Sequence, residues 1–256
     1  MKHPHGQAAI ERRRELSTDT QHIVNLSAYV WALELLGSVR EARILDAACG
    51  AGFGSHSVAE AAEWVVGVDL SVAAIVEAGS RYRKPNLSFA AMDCSRLGFR
   101  DAEFDAVFSF ETIEHVSGDR QYVGEIARVL RPGGRLILST PRAPFQGAVP
   151  ENPYHVREYT WDQLEELLAP HFQPIVRFGR RLGPRLARVE EDLDRVRCLA
   201  PPRVRQIVPR RLRHLLGSMI SRSRSGVGLE QVTVGDVEYV EGLLETPTLL
   251  AVCQRP

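Results

Sequence analysis

The sequence predicts an α/β fold, a doubly wound and mainly parallel sheet with helices on both faces. Three observations carry this. From residue 42 onward, apolar strand-like runs alternate with helix-compatible runs, and strict alternation builds parallel sheets covered on both sides. A glycine turn, Gly50, Gly52 and Gly54, directly follows the first such run. Asp46, Asp69 and Asp93 then stand at three successive strand ends, on the edge where sheets of this class hold ligands.

The elements follow in order. Residues 1–20 are polar and basic, read as a mobile arm and not as a secretory signal. From 21 to 36, Ile23, Leu26, Tyr29, Val30, Leu33 and Leu36 recur at helical spacing, with Gly37 as a stop. That helix either closes over a pocket or covers the sheet edge. Strands are expected at 42–47, 64–70, 86–92, 104–110, 135–140, 174–178 and 249–253. Helices are expected from Ser55 to Ala62, from Ser71 to Arg81 with Ser71 as N-cap, and from Asp119 to Leu130. Arg131-Pro132-Gly133-Gly134 ends the third of these by turn chemistry. A Pro-rich loop runs from Pro141 to Arg157, and Thr160 caps a helix to Ala169.

The core domain is thus expected at 21–178 and 231–256, with an arginine-rich, mostly helical insert at 179–230. In the insert, Leu212, Leu215, Leu216, Met219 and Ile220 fall on one helical face. Three roles stay open: docking on the domain, contact with an anionic membrane surface or acidic partner, or an arginine-lined cap over an anionic substrate.

The 256 residues, 44% hydrophobic and 25% charged, suit one large α/β domain with an elaboration. A formal net charge of zero gives the whole chain no bias toward polyanions. The four cysteines are widely spaced without a Cys-x-x-Cys pair, which reads as reduced thiols in a cytoplasmic protein. No apolar run reaches the length of a membrane span.

The turn chemistry narrows the ligand. Small residues let the backbone approach a nucleotide, and a helix N-terminus offers free amides. Asp46 would repel a dinucleotide pyrophosphate but would welcome a cation. S-adenosylmethionine carries a sulfonium and an ammonium, so Asp46 points to that cofactor. Asp69 can accept from ribose hydroxyls, and Asp93 from an adenine amino group with the Cys94 amide beside the ring.

After the fourth strand comes Glu111-Thr112-Ile113-Glu114-His115-Val116. If this is a helical turn, Glu111, Glu114 and His115 share one face. His155, in the loop after the fifth strand, can join them. The cluster suits a divalent metal, or His115 acts alone as a base, or the turn only shapes the pocket.

The segments 44–54, 65–71, 91–94, 104–116 and 125–141 together resemble the class I S-adenosylmethionine-dependent methyltransferases. The resemblance implies a seven-stranded Rossmann-like sheet with one antiparallel strand. It also implies cofactor contacts from Asp46, Gly50, Gly52, Asp69, Leu70, Asp93 and the Cys94 backbone. The Glu-x-x-Glu-His turn is similar to that of ubiquinone-biosynthesis O-methyltransferases. Ser139-Thr140-Pro141 and His155 before Glu158-Tyr159-Thr160-Trp161 resemble small-RNA 2′-O-methyltransferases. That likeness implies magnesium or manganese on Glu111, Glu114, His115 and His155. The expected activity is O-methylation of a hydroxyl on a small polar molecule such as a sugar or natural product. RNA or polyanion methylation, N- or C-methylation and a non-catalytic partner role stay open, as does the oligomeric state.

Overall fold

A computed structural model of the protein describes residues 20–199, 232–242 and 245–256. The expected N-terminal arm and the Leu212 to Ile220 face of the insert lie outside the described residues. The chain divides into two compact units, Met1–Ser27 with Arg181–Glu238 and Ala28–Arg180 with Tyr239–Pro256. No described helix is long and apolar enough to cross a membrane.

The strands are β1 (Arg43–Ala47), β2 (Trp64–Asp69), β3 (Leu87–Ala91), β4 (Phe104–Phe110), β5 (Leu130–Pro141), β6 (Ile175–Leu182), β7 (Val237–Glu241) and β8 (Thr248–Gln254). They form one sheet in the order β3-β2-β1-β4-β5-β8-β6-β7. The chain steps outward from β1 to β3, then returns to place β4 against the other side of β1. The switch point, where ligands bind in such sheets, therefore lies between β1 and β4. Their parallel register sets Leu45 beside Val107. β8 runs antiparallel to both neighbours, β5 and β6.

The inner strands are apolar along most of their length because both sheet faces are covered. Successive β1 residues serve opposite layers. Leu45 joins Val107, Tyr122, Ile126 and Leu164 on one face, built from α4 (Asp119–Val129) and α5 (Trp161–Leu168). Ile44 joins Phe108, Ile137, Tyr29 and Trp31 on the other, covered by α1 (Thr20–Leu36) and α2 (Phe53–Val58). Trp31 stacks on Tyr239 at 4.5 Å between ring centroids. Tyr29, Trp31 and Ala32 are core residues, so α1 is built into the sheet covering.

Local signals explain most boundaries. Ser71 caps α3 (Val72–Arg81) by accepting the Ala74 amide, and Thr160 with Gln163 forms a capping box on α5. Three boundaries and one added strand differ most from expectation. α2 stops at Val58, whose carbonyl accepts both the Ala61 and Ala62 amides in a turn, and the Asn86 amide satisfies the carbonyls of Ala59 and Ala62 beyond it. β5 begins at Leu130, with a register shift between the pairs Phe104–Leu130 and Ala106–Arg135. The Arg131-Pro132-Gly133-Gly134 excursion fills that shift, and Gly133, at φ +78°, donates to the Arg255 carbonyl. β6 continues past Phe178 to Leu182, so residues 179–182 are strand and the helix α6 (Pro184–Leu199) starts after them. An eighth strand, β7, stands at the sheet edge. It has only five residues, of which Val237 alone is buried, too short an alternation to separate from a loop.

A Cβ at Gly54 would lie 2.0 Å from Tyr29 Cζ, inside the ring of a core residue. Gly54→Ala should therefore cost about 1–3 kcal/mol in urea unfolding. Gly79→Ala, inside α3 with nothing within 4 Å of its Cβ, should be neutral or gain up to about 1 kcal/mol.

Candidate functional site

The glycine turn leaves β1 through three left-handed residues, Ala48 at φ 64°, Gly50 at 59° and Gly52 at 80°. Backbone amides pin it to β2. Cys49 N–H donates to the Val68 carbonyl at 2.8 Å, and Gly50 N–H to Asp69 Oδ2 at 2.9 Å. Asp69 Oδ1 accepts the Ser71 amide at 2.8 Å. One carboxylate thus orders both the turn and the entry to α3. A Cβ on Gly52 would meet Phe89 at 2.7 Å and Ala78 at 2.8 Å, so packing beneath the turn also demands glycine there.

Asp46 lies beneath this turn and is 1% exposed. Tyr29 Oη donates to its Oδ1 at 3.1 Å and Ser55 Oγ to its Oδ2 at 2.6 Å. Burial raises its pKa to about 6, against the lowering effect of these two donors. At neighbouring strand ends, Asp93 Oδ1 accepts the Ser95 amide at 2.8 Å. The Cys94 thiol is buried, and burial pushes its pKa up to about 12. Leu70 is exposed beside Asp69 and offers an apolar surface at this edge.

The second cluster lies past β4. Glu111 adopts φ 50°, and Ser139 Oγ donates to its Oε1 at 2.7 Å. The following helix is a 3₁₀ turn that begins only at Ile113. The shared face expected of Glu111, Glu114 and His115 therefore does not form, because the left-handed Glu111 precedes the turn and is tied to β5. Glu114 is 1% exposed. Its Oε2 accepts from Thr140 Oγ1 at 2.9 Å. Burial, followed by the nearby Glu111 charge, raises its pKa well above the carboxylate range.

His115 and His155 face this acid. His115 Nδ1 bonds the Tyr154 carbonyl at 2.9 Å, so Nδ1 carries the proton. Its Nε2 lies 3.8 Å from Glu114 Oε1. His155 Nδ1 meets Glu158 Oε1 at 2.8 Å, and its Nε2 meets the Asn152 amide nitrogen at 2.8 Å. The two rings stand edge to face at 4.9 Å. Ligand atoms of Glu114, His115 and His155 all come within 4.8 Å of one another. Of the four residues expected in a metal cluster, these three gather and Glu111 stays outside.

The supporting residues were not singled out from sequence. Tyr29 and Ser55 hold Asp46 from two other elements. Asn152 and Glu158 stand three residues either side of His155, a symmetric spacing that was readable. The set can hold a divalent cation, since each imidazole is anchored through Nδ1 in the manner of a metal ligand fixed from behind. It can also accept a proton at His115 Nε2.

Residues 45–138 match the family profile described as "Methyltransferase domain". A probable S-adenosylmethionine-dependent methyltransferase of Mycolicibacterium smegmatis is 38% identical over 128 residues, 49% of this chain and 49% of the relative. A demethylmenaquinone methyltransferase of Beutenbergia cavernae is 36% identical over 157 residues, 57% of this chain and 63% of the relative. O-methyltransferases are among further relatives. The chain thus spans about half to two thirds of the length of the curated relatives it matches. A Thermotoga maritima structure, described as an S-adenosylmethionine-dependent methyltransferase and possible histamine N-methyltransferase, superposes with a TM-score of 0.62. It covers 98% of this chain and 97% of its own at 15% identity, a likeness of fold.

The Asp46 pKa is raised on folding from 3.8 to about 6, so the folded state holds the proton more tightly than the unfolded chain. Its contribution is fully present below about pH 4 and is lost as pH rises through 6. The loss should be on the order of 3 kcal/mol, at about 1.4 kcal/mol per pKa unit. Urea unfolding of the ligand-free protein between pH 4 and 7 should show a slope of this sign, to which the buried Glu114 also contributes, and Asp46→Asn should remove the share of Asp46.

Proposed function

We propose, from the methyltransferase-domain match and the geometry of its C-terminal sheet edge, that this chain is an S-adenosylmethionine-dependent methyltransferase acting on a hydroxyl oxygen of a small molecule. The observation that supports the reading is that two candidate sites follow the C-terminal ends of adjacent parallel strands, β1 and β4. One is the glycine turn with Asp46, Asp69 and Asp93; the other is the Glu114, His115, His155 cluster.

Gly50, Gly52, Asp69, Leu70, Asp93 and the Cys94 backbone would hold the cofactor. Asp46, only 1% exposed, would contribute its charge from beneath. S-adenosylmethionine supplies, when bound, a methyl group already activated by the sulfonium. What the chain must provide is an oxygen nucleophile, and an alcohol near neutral pH holds its proton tightly. His115 is set for that task, because the Tyr154 carbonyl fixes the proton on Nδ1 and leaves Nε2 as the basic atom. Glu114, His115 and His155 also fit a divalent ion, which when bound would lower the hydroxyl pKa and orient the oxygen. His115 as a base without an ion is a second reading, favoured by the same anchored ring.

Titration calorimetry with S-adenosylhomocysteine should give saturable 1:1 binding. Asp69→Ala should weaken it at least tenfold, roughly the loss of one charge-assisted contact, while retaining a cooperative thermal melt. Absence of binding to the folded wild type would sink the enzyme reading. Transfer of a labelled methyl to a hydroxylated acceptor should fall about 100-fold or more in His115→Ala. Survival of that transfer after exhaustive chelation would leave His115 as base and remove the ion.

A further inference from the structure

One short segment builds most of the second cluster. Residues 152–158 supply the ligand candidate His155, the Tyr154 carbonyl behind His115, the Glu158 carboxylate behind His155, and the Asn152 amide in front of it. The segment is fastened to the turn it serves. Val156 N–H donates to the Glu114 carbonyl at 2.7 Å, and Arg157 pairs with Asp119 of α4 at 2.6 Å. Tyr154 N–H closes the loop on Asn152 Oδ1 at 3.0 Å.

The two ring nitrogens of His155 have different kinds of partner. Glu158 accepts from Nδ1, so Nε2 is the lone-pair nitrogen, and the Asn152 amide donates to that lone pair. A carboxylate behind an imidazole raises its basicity and fixes its plane. A neutral amide in front of it contributes one ordinary hydrogen bond, which a stronger Lewis acid can replace. The donor composition is also specific. Ser139 draws Glu111 away, leaving two imidazoles to one carboxylate. Imidazole-rich sets favour zinc, iron(II) or cobalt(II), whereas magnesium favours carboxylate and water oxygens.

We propose that residues 152–158 assemble a site selective for imidazole-preferring divalent ions over magnesium, in which Glu158 and the Tyr154 carbonyl position the two histidines and Asn152 is a cap on His155 that the ion displaces. The inference rests on the proposed metal-assisted reading of this same cluster. It changes the ion expected from the sequence and assigns Glu158 and Asn152 as positioning and gating residues.

Cobalt(II) is the probe, followed by visible absorption on the full chain, with S-adenosylhomocysteine affinity and thermal melt measured on every variant. The wild type should bind one cobalt(II), displaced by equimolar zinc and not by a hundredfold excess of magnesium. Glu158→Gln keeps an acceptor for Nδ1 but loses the charge, and Glu158→Ala loses both. Their cobalt affinity should fall in that order, by roughly 10- and 100-fold, with homocysteine-ligand affinity unchanged. Asn152→Ser keeps an oxygen for the Tyr154 amide but removes the cap, and should bind cobalt roughly fivefold more tightly. Weaker binding by Asn152→Ser would make Asn152 a support instead of a cap and overturn the gate. Unchanged affinity in Glu158→Ala would overturn its positioning role. Effective competition by magnesium would overturn the selectivity. A wild type that binds S-adenosylhomocysteine but no cobalt would remove the metal centre and leave the methyltransferase reading standing.

Discussion

A buried carboxylate holds the centre of this structure together. Asp46 sits at the end of β1, under the glycine turn, with almost no access to water. An isolated charge in that position would be costly, and the chain answers with Tyr29 from α1 and Ser55 from α2. Those two donors bind the helices of one sheet face to the strand that ends in the turn. The arrangement explains why Gly54 must be glycine, since the Tyr29 ring occupies the place of a Cβ. It also explains why α1 belongs to the core: its tyrosine both fills the layer beside Phe53, Phe108 and Phe110 and satisfies the acid. A negative charge beneath the turn would favour a cationic ligand above it, as the proposed cofactor requires.

The same logic recurs at the tip of β4 and β5. Ser139 and Thr140 are consecutive β5 residues, and each satisfies a different carboxylate, Glu111 and Glu114. In a strand, successive side chains point to opposite faces, so each acid has its own hydroxyl, while Glu111 stays close enough for its charge to raise the Glu114 pKa. Glu114 is the acid that gathers with the two histidines. Asp69 works in a third variant, spending its oxygens on the Gly50 and Ser71 amides. Acids at this edge therefore have structural duties, and a substitution at any of them perturbs the segment it orders.

Local chemistry made much of the fold legible in the sequence. Ser71 and Thr160 cap the helices they were expected to cap, because a cap depends on residues three positions apart. The buried inner strands read as apolar runs for the same reason that they are covered on both faces. What stayed hidden depends on distant partners. Asn86 satisfies the carbonyls that follow α2 from more than twenty residues away, and β7 is a strand only because a sheet edge receives it. The candidate site divides likewise. The residue types Glu114, His115 and His155 were visible, while the exclusion of Glu111 turns on one left-handed φ. The anchors of His155 lie within three residues, yet their role depends on where the loop lies against Glu114.

The glycine turn and the histidine cluster become one catalytic site only if a cofactor laid on the first presents its sulfur to the second. A crystal structure with S-adenosylhomocysteine bound tests this most directly. The ribose is expected beside Asp69, the adenine beside Asp93 and the Cys94 backbone, and the sulfur facing Glu114, His115 and His155. A ligand bound elsewhere, or one whose sulfur points away from the His115 turn, would contradict it.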